Sequence, residues 1–233
     1  MRKDSVAHRV MEGLRSDLLD GKIPPGTWLR EELIAERFEV GRYTVRSAIE
    51  QLVSTGLLVH ERNRGAYVSP ISPERVKGLF EFRRIIEVGA LRIGLDAGAD
   101  LSKVIATAEV MGTFDEHTPW HTVIEAHNDL HRAVVAMSAN PRLLDAYDRY
   151  QDDLQFMLAY LGHTHSVDAF TKNHLDLVEQ ICQGGQKALE FLEFDLSEFG
   201  VPPLLEALAG LEDAAQAGHI QPYSSLPAGQ PST

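Results

Sequence analysis

Two histidines, His127 and His131, lie four residues apart in a segment whose apolar residues recur at helical spacing. This spacing places both imidazoles on one face of a helix, on the side of Val123, Leu130 and Val134. An imidazole on a core-facing stripe is costly to bury unless it has a partner. The pair is therefore typical either of a metal site or of hydrogen-bonded histidines in a protein core.

Two further residues have the same inward placement. His174 shares a helical stripe with Leu177. Asp195 falls within the apolar face that contains Leu192 and Phe199. Three histidines and one acid on three helices suit a divalent transition metal, zinc first and nickel or manganese as alternatives. The sequence therefore predicts a metal site formed by His127, His131, His174 and Asp195.

Arg83 and Asn140 are the candidates for binding a small molecule. Arg83 lies on the apolar side of its helix, and a buried arginine needs an anion. Two interpretations stay open: Glu87, one turn later, is that anion, or an effector carboxylate binds the guanidinium in a bidentate way. Asn140 precedes Pro141, and a helix N-cap followed by proline explains this pair without a ligand.

A separate group of side chains predicts contacts with double-stranded DNA. Arg42 and Arg46 share one helical face, while Val45 and Ile49 take the buried side. Arginine bonds guanine O6 and N7 in the major groove, and also phosphate oxygens. Two arginines alone are more typical of a solvated surface, so the interpretation depends on their neighbours. The expected contacts are Arg42, Tyr43, Thr44, Arg46, Arg62, Arg64 and Gly65.

The elements that position these arginines follow from the spacing of apolar residues. Helices are predicted over 5–20, 30–38 and 42–55, and Gly56 suits a left-handed C-cap after the third. Two short apolar runs flank the turn at 63–65 and predict a hairpin. Three helices followed by a hairpin are the plan of a winged helix-turn-helix, in which the N-terminal part of the recognition helix enters the major groove.

The rest of the chain predicts a different architecture. Two prolines in residues 69–73 indicate a linker. No alternating strand pattern follows it, so the fold class is mostly α, with an antiparallel helical bundle after the winged helix. We expect a DNA-binding domain over 1–70, a helical effector-binding domain over 74–218 and a mobile tail over 219–233. The helices are expected at 74–97, 101–113, 119–138, 141–161, 167–183, 186–199 and 202–216.

Composition and charge narrow the function classes. The 233 residues are 44% hydrophobic with one cysteine, which excludes wholesale disorder and a disulfide scaffold. No apolar run is long enough to span a membrane, and we expect a cytoplasmic protein. Residues 1–70 carry a formal charge of +1 and residues 71–233 carry −13. This asymmetry suggests two domains with different partners and, with the arginines of the hairpin, favours DNA for the first.

An ordered series of short motifs runs through the first domain, and it resembles the GntR family of bacterial transcription regulators. The resemblance implies DNA contacts from Arg42, Arg46 and the wing at Arg64–Gly65. Where the family usually has serine or threonine, this chain has Gly41, so one phosphate contact is expected to be missing. The matching motifs are Pro25–Leu29, Glu32–Ala35, Val40–Ile49, Gly56–Leu58 and Arg64–Val68.

The second domain resembles the FadR subgroup through Leu79–Glu87, His127–His131, Met137–Asn140 and Asn173–Leu175. Its ligand-binding domain, called FCD, is a bundle of six or seven helices. The resemblance implies a homodimer, and a divalent metal on one aspartate and three histidines that helps to bind a small carboxylate effector.

The ligand positions differ from that pattern. The subgroup usually has aspartate where His127 stands and histidine where we place Asp195. We therefore expect that the two residue types have exchanged positions, with four ligands retained. This alignment needs a gap of one residue, without which Leu196 takes the last position.

These observations predict a metabolite-responsive transcription regulator, a repressor released by the carboxylate effector, and not an enzyme. The first alternative is a metal hydrolase, because His127–His131 superficially resembles the motif His-Glu-x-x-His. Asn128 stands where that motif needs glutamate, and asparagine cannot take a proton. The second alternative is a protein that binds DNA without an effector.

Overall fold

In a computed structural model, the described residues are 5–159 and 166–216, with side chains as far as residue 210. They divide into two compact units, residues 5–71 with 211–216, and residues 72–210. The first boundary falls inside the segment expected to be a linker. The tail expected over 219–233 lies outside the described residues.

The first unit contains three helices and a two-stranded antiparallel sheet, in which Leu58 pairs with Val68. Trp28 forms a further bridge with Tyr67 on the other edge of the second strand. This order confirms the predicted winged helix-turn-helix. The elements are α1 (Val6–Leu19), α2 (Glu31–Arg37), α3 (Arg42–Ser54), β1 (Leu58–Glu61) and β2 (Gly65–Val68).

Local sequence explains how this unit is held together. The side chain of Ser5 caps α1 by accepting a hydrogen bond from the backbone N–H of His8. The ring of Phe38 packs so close to Gly13 that an added Cβ would lie 2.7 Å from it. Gly56 follows α3 with φ +83°, which confirms the predicted left-handed turn. The Phe38–Gly13 contact packs the end of α2 on α1, and α3 packs against both of these helices.

The second unit is entirely helical over its described residues, as predicted. The helices are α4 (Pro73–Asp96), α5 (Ser102–Met111), α6 (Trp120–Ala136), α7 (Pro141–Asp148), α8 (Gln151–Leu158), α9 (Val167–Gln183), α10 (Gly185–Phe194) and α11 (Val201–Gln216). A π-helical turn over Asp195–Phe199 joins the last two.

One predicted helix is wrong. The segment expected as a single helix over 141–161 is two helices, α7 and α8, separated at Tyr150. The backbone of Tyr150 leaves helical values (φ −107°, ψ 1°), and its ring packs on Phe82 of α4 with centroids 4.5 Å apart. The break redirects the chain, so that both short helices pack against α6.

Helix α6 lies at the centre of this unit, in contact with α4, α5, α7, α8 and α9. Its inward face carries Val123, Leu130 and Val134, all fully buried, together with the two histidines. At Gly94, an added Cβ would lie 2.6 Å from the side chain of Met137, so α4 crosses close to the end of α6. Within the described residues, no helix is both long and apolar enough to cross a bilayer.

Candidate metal centre and nucleic-acid interface

The three predicted histidines meet in the interior of the helical unit. His127 and His131 project from α6 and His174 from α9, and all three are buried. One ligand nitrogen from each ring lies within 4.8 Å of the others. The helical spacing of the first pair and the contact between α6 and α9 account for this convergence.

A buried carboxylate orients His131. The Nδ1 of His131 lies 2.6 Å from Oε2 of Glu87 on α4. Burial acts to raise the pKa of Glu87, but the charges of Arg83 and His131 outweigh it and lower this pKa, so the carboxylate is ionised and accepts the hydrogen bond. The Nε2 of His131 is left buried without a hydrogen-bond partner in the described part of the chain. An orphaned ring nitrogen held this way is the arrangement of a histidine metal ligand.

The other two histidine rings are also oriented by hydrogen bonds at their Nδ1 atoms. The Nδ1 of His174 donates to the backbone carbonyl of Phe170 over 2.7 Å, and the Nδ1 of His127 donates to the amide oxygen of Asn128 over 3.0 Å. Because both acceptors are oxygens without a proton, each ring carries its proton on Nδ1. The Nε2 lone pairs of both rings are therefore available to a cation.

Burial also favours the neutral form that binds metal. It lowers the pKa of His127 well below the ordinary value, and the neighbouring His131 and His174 lower it further. Burial lowers the pKa of His174 as well, although Asp195 opposes the effect. Neutral imidazole is the form that a metal ion requires.

The carboxylate of Asp195 lies next to the histidine group, on the side of His131. It is buried, its Oδ1 accepts a hydrogen bond from the side chain of Asn173, and its Oδ2 lies 3.8 Å from Nε2 of His131. Ligand atoms of a tetrahedral zinc ion are roughly 3.3–3.5 Å apart, since each lies about 2.0–2.2 Å from the metal. The three imidazole nitrogens suit a divalent transition metal, and the Asp195 carboxylate lies beside this group at His131.

The backbone at Asp195 offers a physical reason for the one-residue gap that the alignment with the FadR subgroup needs. Asp195 opens the π-helical turn, and such a turn contains one residue more than an α-helical turn. An inserted residue rotates the faces that follow it by about 100°. Phe199, expected inside, is accordingly 47% exposed, whereas Asp195 and Leu196 are both buried. The inward placement predicted for Phe199 is therefore wrong, and that for Asp195 is confirmed.

Arg83 forms the predicted pair with Glu87. Its Nε donates to Oε1 of that carboxylate over 2.6 Å, and both side chains are buried. Burial acts to lower the pKa of Arg83, but the charge of Glu87 and weaker contributions reverse this and raise it. The guanidinium has spare capacity, because its Nη2 is buried without a hydrogen-bond partner among the described residues. The intramolecular pair and an effector contact are thus compatible.

A cavity of about 150 Å³ adjoins these groups. Its polar lining residues are Arg83, His127, Asn173, His174 and Asp195. Its other lining residues are apolar or glycine: Phe80, Leu158, Ala169, Phe170, Phe199 and Gly200. The cavity is therefore lined by Arg83 and by two of the three clustered histidines, His127 and His174.

Asn140 does not take part in this site. Its side chain accepts a hydrogen bond from the backbone N–H of Arg142 over 3.0 Å, with Pro141 at the first turn of α7. Asn140 is exposed and is not among the described residues that line the cavity. The N-cap interpretation is confirmed, because the amide oxygen of Asn140 caps α7.

The recognition helix α3 presents the expected side chains on one surface. Tyr43 is 86% exposed, and the side chains of Arg42 and Arg46 are each 64% exposed. Arg42 pairs with Glu32 at 3.2 Å and Arg46 with Glu31 at 2.8 Å, so both arginines are extended across α2. Thr44 is half-buried beside them.

The hairpin carries a second basic group. Arg62 and Arg64 are exposed near the turn, and Gly65 has φ +103°, a value that favours glycine. Arg64 pairs with Glu61 at 2.8 Å, and its guanidinium lies 4.6 Å from the ring of Trp28. This cation–π contact holds Arg64 over the sheet.

Trp28 supports the wing from which Arg64 projects, a position that the sequence analysis does not predict. The ring is 37% exposed and packs on Tyr67 with centroids 4.8 Å apart. The short apolar segment around Trp28 could have indicated this position, because such a segment can add a strand to the hairpin. Its position stiffens the wing from which Arg64 projects.

Gly41 is the N-cap of α3 and provides no side-chain hydrogen bond. Its φ of −75° is open to any residue, and a Cβ built there meets nothing within 4 Å. The free N–H groups at this helix start can bind a phosphate, but a hydroxyl is absent. The departure at Gly41 therefore affects one contact and not the fold of the helix.

We expect Gly41→Ser to tighten binding to all duplexes alike by a few-fold, because a hydroxyl adds one neutral phosphate hydrogen bond, worth about 0.5–1.5 kcal/mol. Fluorescence anisotropy with a specific and a scrambled duplex measures this. Gly41→Ala is the matched control, since it adds a Cβ without a hydroxyl. Equal affinities for the serine and alanine variants would contradict the missing contact.

Comparison with known proteins agrees with this geometry. Residues 6–68 match the model of bacterial regulatory proteins of the gntR family, and residues 78–190 match the FCD domain. The chain is 29% identical over 140 residues to the HTH-type transcriptional regulator BphR of Paraburkholderia xenovorans strain LB400. That match spans 57% of each protein, little more than half of the relative.

Two further likenesses extend over nearly the whole chain. A protein of Paenarthrobacter nicotinovorans, named as a D-xylose utilization operon transcriptional repressor, is 22% identical over 93% of this chain and 96% of its own. The crystal structure of a GntR-type transcriptional regulator from Rhodococcus sp. RHA1 superposes with a TM-score of 0.68 at 23% identity, covering 89% of this chain and 98% of that one. At this identity the structural likeness supports the fold alone. With a gntR-type winged helix followed by an FCD domain, the chain belongs to the GntR family of bacterial regulators.

Proposed function

We propose that this protein is a transcription regulator that binds operator DNA as a homodimer and releases it when a small carboxylate effector binds at a metal site. The observation that carries the proposal is the pairing of a basic recognition surface in one unit with a buried His, Asp and Arg site in the other. A cytoplasmic location, where operator DNA is found, is part of the proposal.

The contacts with DNA would come from α3 and the wing. In a helix-turn-helix, the first residues of the recognition helix reach base edges, and Arg42, Tyr43, Thr44 and Arg46 occupy those positions. Both arginines would exchange their glutamate partners for bases or phosphates. Exposed ion pairs are worth about 0–1 kcal/mol, so this exchange costs little. Arg62 and Arg64 would contact the adjacent backbone or the minor groove.

We expect Arg46→Ala to weaken binding by about 1–3 kcal/mol at one base position, if Arg46 reads guanine in bidentate fashion. The measurement is a competition titration of single-base variants of a duplex selected by the wild-type protein. Arg92→Ala is the control, because it removes the same charge from an exposed position on α4. A uniform loss over all duplexes would instead assign Arg46 to phosphate.

The effector site would have two parts, a bound metal ion and the guanidinium of Arg83. His127, His131, His174 and Asp195 would hold the divalent metal, with zinc expected first and nickel or manganese as alternatives. A bound cation attracts a carboxylate, and the free Nη2 of Arg83 is a second donor for it. Glu87 joins the two, since its oxygens bind Arg83 and His131 separately.

A regulatory role is favoured over a catalytic one. A hydrolase built on this histidine pair needs a general base directly after the first histidine. That position is Asn128, whose amide oxygen accepts a hydrogen bond from Nδ1 of His127. Asp129 is exposed on the opposite side of the helix. We therefore propose no enzymatic activity, and a built site with a cavity also disfavours a DNA-binding protein without an effector.

The test combines both units of the protein. Metal-loaded and chelated samples of the full chain are titrated with the selected duplex, with acetate and with both together. We expect acetate to weaken DNA binding only in the loaded sample, because an effector can shift the equilibrium only through different affinities for the two states. Tight duplex binding that stays unchanged at acetate concentrations shown by calorimetry to saturate the loaded protein would contradict the effector mechanism while retaining DNA binding.

A further inference from the structure

We propose that the effector is a monocarboxylate with a compact apolar body, of roughly six carbon atoms in all and near the size of a benzene ring. This inference rests on the proposed function, since Arg83 and the metal site would take the carboxylate group. It adds that the rest of the molecule is hydrocarbon and not a hydroxylated chain such as that of a sugar acid.

The apolar part of the cavity begins beside the groups that would hold the carboxylate. The ring of Phe80 lies 5.1 Å from the guanidinium carbon of Arg83. The ring of Phe170 lies 4.5 Å from that of His174 and 5.3 Å from that of His127. A carboxylate anchored on the polar groups would therefore place its first carbons against two aromatic rings.

The polar groups of the cavity leave little for ligand hydroxyls. The side chain of Asn173 donates a hydrogen bond to Asp195. The Nδ1 atoms of His127 and His174 donate hydrogen bonds to oxygens of the protein. Among the described lining residues, this leaves the Nη2 of Arg83, the second N–H and the carbonyl oxygen of Asn173, and the atoms expected to hold the metal. Each buried hydroxyl without a partner costs about 1–3 kcal/mol, so a polyhydroxylated acid is selected against.

The volume sets the size of the apolar body. A cavity of about 150 Å³ accommodates a molecule the size of benzene. This cavity has about that volume, which the carboxylate and the apolar body of the ligand would share. Gly200 helps to keep the space open, because an added Cβ would overlap the ring of Phe80. Phe80 is itself buried, so a side chain at position 200 would displace a ring that lines the cavity.

The test is a calorimetric titration of the metal-loaded full-length protein with acetate, butanoate, hexanoate, octanoate, benzoate and gluconate. We expect affinity to rise roughly fourfold for each methylene buried, up to an optimum near hexanoate, and benzoate to bind comparably. Gluconate has the same number of carbons as hexanoate, and we expect it to bind at least tenfold more weakly. Hexanol, which lacks the carboxylate, should bind at least tenfold more weakly than hexanoate.

A pair of glycine variants tests the assigned position of the body. In Gly200→Ala, we expect the ratio of hexanoate to acetate affinity to fall by at least tenfold, because the displaced Phe80 ring fills the cavity. Gly78→Ala on α4 is the matched control, since its Cβ meets nothing within 4 Å, and it should keep the wild-type ratio. A wild-type ratio in Gly200→Ala would overturn this placement of the body.

The outcomes separate this inference from the function on which it rests. Equal binding of gluconate and hexanoate, or a flat affinity from acetate to hexanoate, would overturn the apolar body and leave the carboxylate site intact. If no acid in the series binds the metal-loaded protein, the proposed effector site fails, and this inference fails with it.

Discussion

Methionine in place of Arg83 is expected to lower the free energy of unfolding by about 3–5 kcal/mol, the usual cost of breaking a buried ion pair. Arg83 and Glu87 are almost fully buried, with 2.6 Å between Nε and Oε1. Methionine fills much of the arginine volume, so lost packing contributes little. The variant instead leaves the buried carboxylate of Glu87 without its arginine partner, and only the hydrogen bond with His131 remains. Urea unfolding followed by circular dichroism measures the change.

Two companion variants assign this loss to the buried charge. Arg132→Met removes an arginine from an exposed pair with Asp148, with contacts of 2.8 Å, and should cost at most about 1 kcal/mol. Adding Glu87→Gln to Arg83→Met should recover much of the stability, because a neutral amide still accepts from His131. If Arg83→Met costs no more than Arg132→Met, the buried pair does not stabilise this unit as proposed.

The fold was predictable because local spacing determines it. Helix α3 follows from its apolar face and from Gly56, whose φ of +83° fits the left-handed turn. The inward histidines follow from the same argument, since His127 and His131 are one helical turn apart. The linker at 69–73 was visible from its prolines alone. Features set by spacing within about ten residues were therefore available from the sequence.

Features that depend on distant contacts were not available. The break at Tyr150 reflects packing on Phe82, far away in the chain, and no proline or glycine marks it. The π-helical turn at Asp195 leaves the apolar spacing before it unchanged, so periodicity predicted the burial of Asp195 but not the exposure of Phe199. The role of Trp28 also depends on a cross-strand partner.

The orientation of the histidine rings belongs to this second group. Sequence spacing placed the rings inward but could not assign their protons, because one acceptor is a backbone carbonyl and another is on a different helix. Glu87 precedes His131 by 44 residues, yet its carboxylate determines which nitrogen of that ring is free. The evidence that favours a metal over ordinary core histidines is therefore structural.

Replacing His131 by alanine is expected to reduce bound metal from about one ion per chain to nearly none. The Nε2 of His131 is the orphaned ligand atom between the histidine cluster and Asp195, 3.8 Å from that carboxylate. Loss of one of the four expected ligands leaves three protein donors, and we expect the weakened site to lose its metal during purification. Elemental analysis of purified, never-chelated protein measures the metal content of the wild type and the variant.

Glu87→Gln distinguishes a metal site from a hydrogen-bonded core. Removal of a carboxylate that orients a histidine ligand typically weakens metal binding 10–100-fold, because the ring loses both orientation and basicity. Competition with a chelator should show this loss while the stoichiometry stays near one. His121→Ala, at an exposed position on the same helix, is the matched control and should keep the wild-type affinity. Unchanged metal content in His131→Ala would rule out the site, because the folded chain would then hold its metal elsewhere. The three histidines would then be hydrogen-bonded core residues without a metal.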